Sequence, residues 1–71
     1  MQVFKIEPTS IYSYGIALVA ARNTEEAIKT YCDTEFGNYA YDDFGCTCNI
    51  VIGLDYKTNS PALIFDKIGS E

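Results

Sequence analysis

The chain has 71 residues, 48% of them hydrophobic, with ten acids against five bases and a net charge of −5. A chain this short buries only about 60% of the surface it exposes when unfolded, so one small domain spanning residues 1–71 is expected, and that hydrophobic fraction argues against disorder. The five bases, Lys5, Arg22, Lys29, Lys57 and Lys67, are scattered singly, which argues against direct binding to nucleic acid or to an anionic membrane, because both need clustered positive charge.

There is no histidine, which excludes histidine-based triads, His-ligated zinc and the commonest general base at neutral pH. The three cysteines, Cys32, Cys46 and Cys48, are an odd set without a secretory signal, a pattern of reduced thiols and of a cytoplasmic protein. The longest apolar run, Ile16 to Ala21, is far shorter than the roughly 20 residues a membrane-spanning helix needs.

In chain order, Val3 to Glu7 reads as a short strand ended by Pro8. Thr9 to Ser13 is a connector. Tyr14 to Ala21 is apolar at even positions (Ile16, Leu18, Ala20) and at odd ones (Ala17, Val19, Ala21), the mark of a central strand covered on both sides. Its alanines leave room for a helix to approach.

Asn23 followed three residues later by Glu26 predicts a capped helix start. Ala27, Ile28, Tyr31 and Cys32 supply its apolar stripe, and Glu25 and Lys29 have the spacing of an ion pair. Gly37 predicts a stop, placing the helix at about Thr24 to Phe36.

Asn38 to Gly45 reads as an irregular loop. From Cys46 to Tyr56 the alternation is clean: Cys46, Cys48, Ile50, Ile52, Leu54 and Tyr56 fall on one face, predicted to be buried. Lys57 to Pro61 reads as a turn, Ala62 to Ile68 as a last strand hairpinned to the one before it, and Gly69 to Glu71 as a tail. The fold expected is therefore α+β, a single β-β-α-β-β domain with a mostly antiparallel four-stranded sheet and one helix packed on one face. Because one helix cannot cover both faces, an apolar second face including Val3 and Val51 is expected to serve as a homodimer or docking surface.

Two constellations invite a functional reading. Cys46 and Cys48 lie two apart on a strand, nearly 7 Å from each other, too far for an unstrained disulfide. With Cys32 they form either a packed cluster or a thiol or metal site completed by Asp33, Asp42 or Asp43, although Cys-x-Cys is not the usual spacing for structural zinc. Packing is the expected role, with no cofactor and no metal.

The second constellation runs from Asp33 to Phe44 and contains no base. Asp33 and Glu35 oppose the dipole at the helix end, and Tyr39, Tyr41, Asp42, Asp43 and Phe44 make an acidic, aromatic loop suited to recognition. Lids of this composition also simply tuck their aromatics under a sheet edge. Phosphate-binding glycine patterns, calcium-loop spacing and separated carboxylate pairs are all missing. The expectation is a small non-enzymatic protein-interaction module, with no catalytic residues, that binds a protein partner or itself through Asp33, Glu35, Tyr39, Tyr41, Asp42, Asp43 and Phe44. The alternatives are the thiol or metal site and an acidic decoy of a nucleic-acid-binding protein.

Overall fold

Asn23 sits in extended backbone and its side-chain oxygen accepts a hydrogen bond from the Glu26 amide at 2.8 Å, which starts the helix where the capping pattern places it. The computed structural model describes residues 1–9, 13–33 and 45–70 of the chain. Its elements are β1 (Gln2–Pro8), β2 (Ser13–Tyr14), β3 (Ala17–Ala21), α1 (Thr24–Cys32), β4 (Cys46–Asp55), β5 (Ala62–Asp66) and β6 (Gly69–Ser70). Four strands form one antiparallel sheet in the order β4-β1-β3-β5, with α1, the single helix among the described residues, packed against it. No helix among the described residues is long and apolar enough to cross a membrane.

The two central strands carry the core. Phe4 pairs with Val19 and Ile6 with Ala17, and these four cluster with Ala21 and with Ala27 and Tyr31 of the helix. Alanines at 17, 21 and 27 keep the helix close to β3, while Phe4, Ile6, Val19 and Tyr31 supply the volume. Each such side chain contributes about 1.5–3 kcal/mol by leaving water. The opposite face is not the open patch expected from the sequence: Val3 and its partner Ala20 are both buried. Val51 is half-buried.

Glu26 closes the helix start differently from a capping box. Its carboxylate accepts from the Arg22 amide at 2.9 Å and from the Arg22 guanidinium at 3.2 Å. Ion pairs among the described residues join Arg22 to Glu26, Lys5 to Glu7 and the Met1 ammonium to Asp55, and the expected Glu25–Lys29 pair is not among them. The helix ends at Cys32, with Asp33 as its C-cap, four residues short of the expected Phe36. The Asp33 carboxylate at that end opposes the helix dipole.

The hairpin expected between the last two strands does not form. β4 and β5 lie on opposite edges of the sheet, although Thr58 and Ser60 do bend the chain between them as predicted. Three strand spacings separate those edges, about 14 Å, and the six connecting residues reach about 20 Å when extended, so a short link spans them. The supposed tail is structured as well. Ser13 pairs with Ser70 and Tyr14 with Gly69, forming a second, two-stranded sheet.

Candidate functional site

The described part of the molecule exposes its large apolar side chains mainly on β4. Ile50, Ile52, Leu54 and Tyr56, which follow one another from β4 into the residue after it, are 43, 90, 52 and 42% exposed. The buried row expected along this strand is therefore overturned beyond its first residues: Cys46 and Cys48 do pack against the core, and the rest do not. The reason is partly length. A helix of nine residues is about 14 Å long, whereas a strand of ten runs about 33 Å, so the helix cannot cover all of an edge strand.

Register supplies the other reason. Phe4 pairs with Ile50 and Gln2 with Asp55, so two steps along β1 match five along β4. Phe4 and Gln2 share a face of the sheet, and their partners must share it too. Five is an odd number of steps, so strict alternation cannot hold between Ile50 and Asp55. It breaks in a bulge over Val51 to Leu54, where Gly53 adopts φ +89, a left-handed conformation that glycine accepts readily. Ile52 stands beside that glycine. Past the bulge the strand is tied down again, since the Tyr56 amide donates to the Met1 carbonyl at 2.8 Å and the Met1 ammonium donates to Asp55 Oδ1 at 3.0 Å. The apolar ridge is thus held at both ends by backbone pairing.

The two sheet edges differ in chemistry. β5 is five residues long, preceded by Pro61 and ended by Asp66 and Lys67. Short length, proline and charge are the usual protections of an edge. β4 has ten residues and carries no charge from Cys46 to Leu54. Among the described residues it pairs only with β1, at the edge of the sheet.

Of the site residues expected from the sequence, the structure places Asp33 at the exposed helix C-cap, where it lines a shallow depression of the helix surface together with Lys29 and Glu25. Glu35, Tyr39, Tyr41, Asp42, Asp43 and Phe44 lie outside the described residues. The ridge was missed because alternation reports a strand's faces but not what covers them. Gly53 within the alternating run was the available signal, since an isolated glycine in a strand often marks a bulge.

The thiols read as packing groups. Cys32 is buried and Cys46 and Cys48 are half-buried. Burial pushes all three above the usual 9.0, Cys48 to about 11, with the neighbouring Cys46 adding to the rise at Cys32 and Cys48. Nucleophilic and metal-binding cysteines need the opposite shift, toward thiolate. No three His, Cys, Asp or Glu side chains among the described residues come together as a metal site. The folded state holds the Cys48 proton to higher pH than the unfolded chain does. Its contribution to stability is thus complete below pH 9 and falls as pH rises from about 9 toward 11. Thermal unfolding is expected to show Tm falling across that window in the wild type and falling less in Cys48→Ala. An equal slope in both proteins would show that this thiol is not held protonated by the fold.

No protein-family model, curated protein or solved structure matches the chain.

Proposed function

We propose that this chain is a non-enzymatic protein-interaction module whose contact surface is the edge strand β4 and its apolar ridge. The partner is an uncharged, apolar segment that adds to this edge in the manner of β-augmentation. The observation that carries this reading is Ile52, 90% exposed beside a bulge that the fold anchors on both sides. Apolar patches of this kind on small proteins commonly mark interaction sites. The contrast with the protected β5 edge supports the same assignment, and the raised thiols speak against nucleophilic chemistry at the cysteines.

The reading is tested by co-producing tagged and untagged copies in the native host and capturing the tagged one. Two variants are compared with the wild type: Ile52→Glu, which charges the ridge, and a loop variant with Tyr39, Tyr41, Asp42 and Asp43 all changed to serine. The expected result is that captured chains, the untagged copy included, are lost with Ile52→Glu and kept with the loop variant. Loss with the loop variant alone would move the contact surface to the acidic, aromatic segment.

A further inference from the structure

We draw no further inference here: the strongest candidate, the row of exposed apolar side chains on β4 from Ile50 to Leu54, belongs to the site already described, and nothing in the structure shows what covers it.

Discussion

Gly15→Ala is expected to remove about 3–5 kcal/mol of folding stability, the sum of an unfavourable backbone conformation and an overpacked contact. Gly15 has φ +99, and a Cβ there would lie 1.8 Å from the Lys67 carbonyl oxygen and 2.8 Å from its carbon. Neither side of that contact yields easily. The Lys67 amide donates to the Ile16 carbonyl at 2.9 Å, Ala17 pairs with Asp66, and Tyr14 pairs with Gly69. Gly15 is thus the point at which the chain passes from the small sheet into the large one. A domain of this length has a total stability of roughly 4–10 kcal/mol, so the loss leaves it barely folded or unfolded. Gly53 is the internal comparison, with a similar φ of +89 but no atom within 4 Å of the position a Cβ would take. Gly53→Ala should cost only about 1–2 kcal/mol, the conformational part alone. Urea unfolding of both variants measures the difference, and equal losses would mean that the close approach to Lys67 is not real.

Tyr31→Ala is expected to cost about 3–5 kcal/mol, the range for truncating a buried aromatic. Tyr31 is 1% exposed and fills the space between the helix and the sheet. Its hydroxyl donates to Asp66 Oδ1 at 3.3 Å, and the Ile68 amide donates to the same oxygen at 3.1 Å. That carboxylate fastens the helix to the β5 edge and to the turn beyond it. Its other oxygen is buried with no hydrogen-bond partner among the described residues, so the remaining bonds carry more weight. Tyr31→Phe separates the two contributions. It keeps the ring and should cost about 1–2 kcal/mol, the loss of one part-buried hydrogen bond. If Tyr31→Phe proved as damaging as Tyr31→Ala, the hydroxyl would dominate and the packing account would be wrong.

The elements of this fold were legible where the signal is local. Asn23 and Glu26 mark the helix start by capping chemistry alone, and the doubly apolar run ending at Ala21 marks a central strand. Non-local features were not legible. Whether the chain after Tyr56 turns back beside β4 or crosses to the far edge depends on which strand flanks β3, and six residues permit either. The pairing of Ser13–Tyr14 with Gly69–Ser70 involves strands of two residues, too short for any periodicity.

The candidate site was half legible. Alternation from Cys46 identifies a strand, but burial of its apolar row depends on how far a short helix reaches. Helix length against strand length answers that, and Gly53 shows where the row turns out of register. The acidic, aromatic segment stands out in the sequence because its charges break a local rule at the helix end. Its residues after Asp33 lie outside the described structure, and the apolar ridge has the anchored geometry that a contact surface requires.

Amide hydrogen exchange along β4, measured in the purified chain alone and with the partner captured from the native host bound, tests the central claim most directly. The amides of Cys46 to Ile50 that point away from β1 should exchange at least about tenfold more slowly in the bound chain, through new strand pairing. Exchange at these amides that ignores partner binding would contradict the assignment of β4 as the surface this protein uses.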